Sequence, residues 1–309
     1  MKRVATAVVL IPLVIAAVIF SPNWLFTTLL ALVALISLTE FLRLAKALGN
    51  TPRLLPYVFV ALIFSVLVVG PAFRSSSFQV MAFLPAALLL FPLVILAWGI
   101  GASDFRQSVH GGSLALLGTY YITVPLLCLA LMREQSFVGN YFLILLFVVV
   151  WGGDIGALYV GRLIGRHYLA PRVSPGKTWE GAVASVVFAT ILSCVVTQWL
   201  GPRLSGTPAS KFFGPNDWAT TISLIAPPLW VPILFAVIVN VSAQIGDLAE
   251  SMLKRAANVK DSGALLPGHG GMLDRIDALL FAAPMGMLVF LFVEQFFSFE
   301  PDVKIFIKP

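Results

Sequence analysis

The sequence has few charged residues and only two cysteines. Asp, Glu, Lys and Arg make up 11% of its 309 residues, whereas ordinary soluble domains contain about 25%. Hydrophobic residues make up 59%, and the mean hydropathy is +0.97. These values exclude an ordinary soluble domain. Cys128 and Cys194 both lie in apolar stretches, without another Cys or a His at metal-ligand spacing, so we expect two buried structural thiols and no zinc site.

Long apolar runs fill most of the chain. A helix needs about 20 apolar residues to cross the hydrocarbon core of a bilayer. The sequence therefore predicts an all-α, polytopic integral membrane protein, organised as a single membrane domain over residues 1–309. We predict nine transmembrane helices, at roughly 4–21, 23–42, 54–72, 79–99, 113–132, 138–160, 180–200, 220–245 and 278–297.

The basic residues predict how the chain is oriented. The first apolar run follows Met1-Lys2-Arg3, and with that basic end inside, most of the 20 Lys and Arg residues fall in loops on the same side. Cytoplasmic loops carry such an excess. We expect a cytoplasmic amino terminus and an outside carboxyl terminus, in a bacterial-type inner or plasma membrane. The net charge of +6 then belongs to a membrane face that attracts anionic lipids and nucleotides, and no nucleic-acid partner is expected.

One polar and charged segment, residues 240–277, interrupts the apolar chain. If it continues the preceding helix, the spacing i, i+3, i+4, i+7 places four side chains on one face, namely Asp247, Glu250, Ser251 and Lys254. A loop and the start of the next apolar helix then carry Lys260, Asp261, His269, Gly270, Gly271, Asp274, Arg275 and Asp277. So many charges beside a bilayer are costly unless a charged ligand lies among them. We therefore expect a metal ion and phosphates here, on the cytoplasmic face.

A second group of candidate residues lies upstream. Asp154 directly follows an apolar run, where a carboxylate costs about 2.5 to 3.5 kcal/mol on insertion scales. It is either functional or paired with a basic residue of a neighbouring helix. Ser174 and Lys177 precede a helix whose amino end carries Thr178 and Glu180, and such an end binds anions. The alternative for this stretch is an ordinary basic cytoplasmic loop.

These two stretches resemble a known family. The run SMLKRAANVKDSGALLPGHGGMLDRID, residues 251–277, closely resembles the signature of the phosphatidate cytidylyltransferases, also called CDP-diacylglycerol synthases. The block from Asp154-x-x-Ala157-x-x-x-Gly161-Arg162 through Ser174-Pro175-x-Lys177-Thr178-x-Glu180-Gly181 is similar to that family as well. The resemblance covers residues 136–297. We therefore divide the domain into amino-terminal scaffold spans, 1–135, and a catalytic half, 136–309.

The resemblance implies a nucleotidyltransferase that forms CDP-diacylglycerol and pyrophosphate from CTP and phosphatidate, with Mg²⁺ as cofactor. Asp247 and Asp274 are the expected metal ligands. Glu250, Asp277 and Asp154 are second choices, or orienting groups for a second ion. No strong general base is required, because the attacking lipid phosphate is already ionised.

The remaining residues of the signature have expected roles in binding. We expect four basic side chains to bind phosphate groups of the substrates: Lys254, Arg255, Lys260 and Arg275. Ser174, Lys177, Glu180 and Ser251 complete the binding set, whereas Asp261 and Asp277 are expected among the catalytic residues. The turn at Gly270-Gly271 could bring phosphate oxygens to backbone N–H groups. His269 is expected to donate a hydrogen bond rather than to accept a proton. Whether the chain forms a homodimer stays open from the sequence.

Three other interpretations remain open from the sequence. One is a different CTP-dependent membrane lipid enzyme, of the polyprenol or diacylglycerol kinase type, that transfers the γ-phosphate. Another is an ion-coupled transporter with Asp154 in its path, although paired internal repeats are lacking. The third is that the charged face with Asp247 and Lys254 merely stabilises a helix. Surface ion pairs contribute only about 0 to 1 kcal/mol, so stability alone is a weak reason for so many charged groups beside a bilayer.

Overall fold

The fold is nearly all-α. The computed structural model describes residues 12–46, 52–69, 77–134, 136–200, 227–263, 265 and 270–297. The helices are α1 (Asn23–Lys46), α2 (Leu54–Val69), α3 (Ser77–Gly99), α4 (Phe105–Glu134), α5 (Ser136–Ile164), α6 (Trp179–Cys194), α7 (Trp230–Ala256) and α8 (Leu273–Phe297). Residues 12–20 are also helical, and a π-helical turn, Val195–Leu200, extends α6. Two short strands, β1 (Tyr168–Ala170) and β2 (Ser174–Thr178), form an antiparallel hairpin that we did not predict.

Six of the described helical stretches are long and apolar enough to cross a membrane. They are Asn23–Ala45, Phe105–Glu134, Gly139–Ile164, Trp179–Trp199, Trp230–Ala256 and Leu273–Gln295. The predicted third and fourth spans correspond to the shorter apolar helices Leu54–Val69 and Phe83–Gly99. The predicted first span lies partly outside the described residues, as does the start of the predicted eighth. A multi-pass, helical membrane protein is confirmed, and the count of nine stays a prediction.

The chain forms two compact units. The first unit contains the described residues among 22–130 and 250–276, and the second contains those among 12–21, 131–249 and 277–297. In the first unit, Phe59 of α2 stacks on Phe91 of α3 with ring centroids 4.1 Å apart. The hydroxyl of Tyr57 donates to Thr39 Oγ1 at 3.0 Å, which ties α2 to α1.

In the second unit, α5 packs closely along α6 through small residues. A Cβ atom at Gly156 would lie 2.7 Å from the Cβ of Phe188, and one at Gly152 would overlap Leu192. Close approach of backbones at small residues is a common basis of helix association in membranes, where lipid is as apolar as the side chains. Gly152 and Gly156, which have small-xxx-small spacing, therefore allow α6 to lie close to α5.

Aromatic side chains form the core that joins α5, α7 and α8 within the second unit. The ring of Phe142 lies 5.2 Å from that of Phe235 and 5.3 Å, edge to face, from that of Phe290. Edge-to-face and offset pairs of this kind add to the packing energy. In the same unit, Ser193 Oγ donates to the carbonyl of Pro232 at 2.9 Å. These contacts fix the position of α7, which carries several of the candidate site residues.

Candidate active site

Helix α7 continues from its apolar part into the charged segment without a break. It runs from Trp230 to Ala256, so the predicted face with Asp247, Glu250, Ser251 and Lys254 exists. Lys254 and Arg255 lie in the last turn, where positive side chains interact favourably with the helix dipole. The polar residues therefore extend one helix rather than forming a separate loop.

Lys254 lies between two carboxylates of the first unit. Its Nζ is 2.5 Å from Glu250 Oε2 and 2.6 Å from Asp274 Oδ1. The exposed fractions of the side chains are 14% for Lys254, 0% for Glu250 and 6% for Asp274. Buried charges are tolerated only when they are paired and hydrogen-bonded. The ammonium group is therefore what allows two buried carboxylates to be ionised side by side.

Asp274 is held by the chain at the start of α8. Its Oδ2 accepts hydrogen bonds from Gly271 N at 2.8 Å, and from Ser262 N and Ser262 Oγ, both at 2.9 Å. The first N–H groups of a helix have no partner within the helix, and a carboxylate there is stabilised by the helix dipole. Oδ1 accepts from Lys254 and keeps lone-pair capacity on its other side. Oδ2 is thus fixed by the chain, while Oδ1 faces the ammonium group of Lys254.

A third carboxylate, Glu40 of α1, joins the same network. It is 4% exposed. Its Oε1 accepts from Met272 N at 2.9 Å, and its Oε2 accepts from Leu273 N at 2.8 Å and from Ser262 Oγ at 3.0 Å. Glu40 was not among the predicted site residues, although an acidic side chain within the predicted span 23–42 is a signal for a functional residue. We call Glu40, Glu250, Lys254, Ser262 and Asp274 the Lys254 cluster.

The glycines of the signature provide room for these carboxylates. A Cβ atom at Gly271 would overlap Glu40 Oε2 and Ser262 Oγ, and one at Gly263 would lie 2.7 Å from Glu40 Oε1. Gly270 has φ +78°, which side chains rarely tolerate. The turn before α8 therefore requires glycine at these positions. The N–H of Gly271 donates to Asp274, and a phosphate role for Gly270 and Gly271 stays a prediction.

The second unit contains another charged group, which we call the Lys177 cluster: Asp154, Lys177 and Asp247. Lys177 Nζ lies 2.5 Å from Asp247 Oδ2, and the exposed fractions of the two side chains are 27% and 36%. Asp154 of α5 lies near enough to both to interact with their charges. A carboxylate of α5, a lysine of β2 and a carboxylate of α7 thus come together. Unlike the Lys254 cluster, this group is partly open to solvent.

The hairpin explains why Lys177 reaches this position. Strand β2 pairs with β1 in the register Tyr168 to Thr178 and Ala170 to Ser174. Helix α6 begins directly after β2, and the hydroxyl of Thr178 caps it by accepting from Gly181 N at 3.2 Å. The predicted helix start is confirmed, and the stretch before it is a strand.

A hydrogen bond between His167 and Glu180 connects the two ends of the hairpin. His167 Nδ1 lies 2.6 Å from Glu180 Oε1, and Trp179 N donates to the carbonyl of His167 at 2.9 Å. Glu180 therefore connects the chain before β1 with the first turn of α6. Its contacts are structural, and its predicted role in substrate binding stays untested.

Polar side chains along α7 attach it to α5 and α6. Gln244 Nε2 donates to Asn240 Oδ1 at 2.8 Å and to the carbonyl of Ala182 at 3.2 Å. The side chain of Asn240 fits against Gly153, where a Cβ atom would overlap its Nδ2. Packing against α5 and α6 thus explains why α7 carries the polar residues Asn240 and Gln244. The result is that Asp247, one turn further, faces Lys177.

The other predicted residues lie nearby in the chain and are more open. Four are exposed: Arg255, Lys260, Asp261 and Arg275. Three are half-buried: Ser174, Ser251 and Asp277. His269 lies outside the described residues.

The predicted metal ligands belong to different units. Asp247 lies in the second unit and Asp274 in the first, so their joint metal site stays a prediction. Among the residues that the structure describes, no group of three or more His, Cys, Asp or Glu side chains is arranged to hold a metal ion. Mg²⁺ is usually bound through only one or two carboxylates, and phosphates and water supply its other oxygen ligands. These carboxylates are compatible with such a site.

The chain is similar to known proteins over most of its length. A family model described as "Cytidylyltransferase family" matches residues 1–293. A phosphatidate cytidylyltransferase of Pseudomonas aeruginosa is 32% identical over 291 residues, which cover 92% of this chain and 94% of that protein. The enzyme of the same name from Haemophilus influenzae is 28% identical over 305 residues, 94% of this chain and 99% of that protein. The Brucella suis enzyme is 40% identical over 186 residues, 60% of this chain, and this match spans 58% of the relative's length.

Proposed function

Because the chain belongs to the cytidylyltransferase family, we propose that it is a phosphatidate cytidylyltransferase, which forms CDP-diacylglycerol and pyrophosphate from CTP and phosphatidate. The family resemblance drawn from the sequence is confirmed. Relatives with this name match over more than nine-tenths of their length. The proposal extends their named activity to this chain.

The ion pair of Lys177 with Asp247 is the observation that carries the proposal. It joins the upstream block, at Lys177, to the charged segment 240–277, at Asp247, which follows 70 residues later in the sequence. A half-exposed ion pair contributes little to stability, about 0 to 1 kcal/mol. Its position beside Asp154 therefore supports a binding role for charged phosphates and a cation.

In the proposed reaction a phosphate oxygen of the lipid forms a bond to the α-phosphorus of CTP. The bond from that phosphorus to the bridging oxygen breaks, and pyrophosphate leaves with the electron pair. Catalysis of phosphoryl-type transfer is mostly positioning and electrostatic stabilisation. Lys177 and Lys254 supply fixed positive charge. The exposed Arg255, Lys260 and Arg275 can neutralise the triphosphate, the lipid phosphate and the leaving pyrophosphate.

We propose Mg²⁺ as the cofactor, with Asp247 and Asp274 as its ligands and Asp154 and Glu250 as orienting groups. The fit rests on the donor set. Asp247 has a second carboxylate near it, and Asp274 has one oxygen held by the chain, while its other oxygen accepts from Lys254 and keeps a lone pair for an ion. The ion would neutralise phosphate oxygens and orient the triphosphate.

We also propose the finer topology: nine spans, a cytoplasmic amino terminus, an outside carboxyl terminus and an active site on the cytoplasmic face. The excess of Lys and Arg in alternate loops supports this orientation. CTP would then reach the site from the cytoplasm and phosphatidate from the bilayer.

The test uses the purified full chain in mixed micelles with radiolabelled CTP and phosphatidate. We expect CDP-diacylglycerol and pyrophosphate, with product formation lost in EDTA and restored by excess Mg²⁺. Asp247→Asn should reduce turnover by more than about 100-fold, as expected for an interaction worth about 3 kcal/mol in the transition state. The matched control is Asp104→Asn, since Asp104 accepts from Gln107 N at the start of α4 and lies in neither cluster. Release of CDP instead of pyrophosphate would overturn the proposal in favour of γ-phosphate transfer.

A further inference from the structure

We propose that Glu40 is a positioning residue of the active site, which acts by fixing the first turn of α8 and thereby Asp274. This inference rests on the proposed function and extends it to a helix that the sequence suggested was only a scaffold. Glu40 lies in α1, more than 200 residues before the signature that it contacts. It would not touch the substrates itself.

The hydrogen bonds of Glu40 indicate what it does. Its donors are Met272 N, Leu273 N and the hydroxyl of Ser262, so its charge is stabilised by a helix amino terminus. A carboxylate inside an apolar span is costly on its own. Among the described residues, the hydrogen bonds that compensate for this cost come from Ser262, Met272 and Leu273, in the segment that leads into α8. Glu40 therefore anchors that segment to α1.

Ser262 extends this anchor to Asp274. Its Oγ lies 3.0 Å from Glu40 Oε2 and 2.9 Å from Asp274 Oδ2. A hydroxyl has one proton, so it is shared between the two carboxylates. Together, Glu40 and Asp274 accept from the N–H groups of three successive residues, Gly271 to Leu273. Loss of Glu40 would free two of these donors and allow the Asp274 carboxylate to rotate.

The glycines show that the chain is built around this carboxylate. At both Gly263 and Gly271, the atoms that a Cβ would meet include the carboxylate oxygens of Glu40. Two backbone segments thus approach one buried side chain from α1 closely. A residue that only filled space would not require glycine at both positions. The contacts fit an anchor whose geometry matters to a fraction of an ångström.

The test compares Glu40→Gln with a control from the same helix. The amide keeps the size of the side chain but replaces one acceptor oxygen by a donor, so it cannot accept all three hydrogen bonds. We expect kcat to fall by about 10- to 100-fold, as for partners that orient a ligand, while the KM for CTP changes less than about threefold. Ser37→Ala is the control, because Ser37 is fully buried one turn earlier and its hydroxyl has no hydrogen-bond partner in the described part of the chain. Its kinetics should match the wild type.

A second readout does not depend on turnover. We expect Mg²⁺ to raise the thermal unfolding temperature of the wild type in the absence of substrates, and Glu40→Gln to require about tenfold more Mg²⁺ for the same shift. Ser262→Ala should cause a smaller change of the same kind, and the double variant should be less impaired than the product of the two single effects. The proposal would be overturned if the effects of the two substitutions on kcat multiplied fully in the double variant. It would also be overturned if Glu40→Gln left kcat and the Mg²⁺ dependence unchanged.

Two outcomes need to be kept apart. If Glu40→Gln does not accumulate as folded protein, Ser262→Ala carries the test, since Ser262 N still binds Asp274; unchanged kcat and Mg²⁺ dependence would then refute the role. If the wild type forms no CDP-diacylglycerol, the proposed function fails. The Mg²⁺-dependent unfolding shifts would still decide whether Glu40 positions Asp274.

Discussion

Replacing Lys254 by methionine tests whether the Lys254 cluster is a buried ion network. Methionine keeps most of the aliphatic length and removes the ammonium, which lies 2.5 Å from Glu250 and 2.6 Å from Asp274. These carboxylates are 0% and 6% exposed, so solvent cannot replace the lost partner. Removing one member of a buried ion pair costs about 3 to 5 kcal/mol, against about 0 to 1 kcal/mol at a surface. We expect the free energy of unfolding to fall by about 3 to 5 kcal/mol.

The assay is unfolding in mixed micelles with increasing SDS, followed by tryptophan fluorescence. Arg255→Met is the matched control: Arg255 is the next residue of α7 and is exposed, so its replacement should change stability by less than about 0.5 kcal/mol. Adding Glu250→Gln to Lys254→Met should recover part of the loss, because one unpaired buried charge is removed. A cost for Lys254→Met below about 1 kcal/mol would show that the cluster is solvated and would refute this reasoning.

Two further predictions concern the second unit. Lys177→Gln should raise the KM for CTP by about tenfold or more while costing less than about 1 kcal/mol in stability, because its ion pair is half-exposed; a large loss of stability with unchanged kinetics would contradict this. Gly153→Val should prevent the chain from accumulating in the membrane, since a Cβ there meets Asn240 and Ser185. For Gly176→Ala, where nothing lies within 4 Å of the added Cβ, expression measured by immunoblot should equal that of the wild type.

Features set by local sequence could be predicted. The continuation of α7 to Lys254 fits the absence of proline between Asn240 and Lys254, and the face shared by Asp247 and Lys254 then follows from helix geometry. The start of α6 follows from the capping preference of threonine at Thr178. The class of fold follows from the apolar runs, since only helices or closed barrels satisfy backbone groups in lipid.

Features that depend on contacts between distant segments could not be predicted. The hairpin was missed because Ser174-Pro175-Gly176 has the composition of a turn, and pairing with Tyr168–Ala170 decides that it is a strand. The partner of Lys254 in α8 depends on how the turn at Gly270 and Gly271 folds. Glu40 was overlooked because its partners are more than 200 residues away, although its charge within an apolar run was visible.

The charge balance of the Lys254 cluster argues against a purely structural role. The cluster contains three carboxylates and one ammonium: Glu250 and Asp274 pair with Lys254, and Glu40 is linked to Asp274 through Ser262. The amino terminus of α8 contributes the equivalent of about half a positive charge, so negative charge remains in excess. A network that only joined helices would be more stable if it were neutral, or replaced by apolar side chains of similar volume. An excess of negative charge would favour the divalent cation that we propose, and the cation in turn would bind the phosphates.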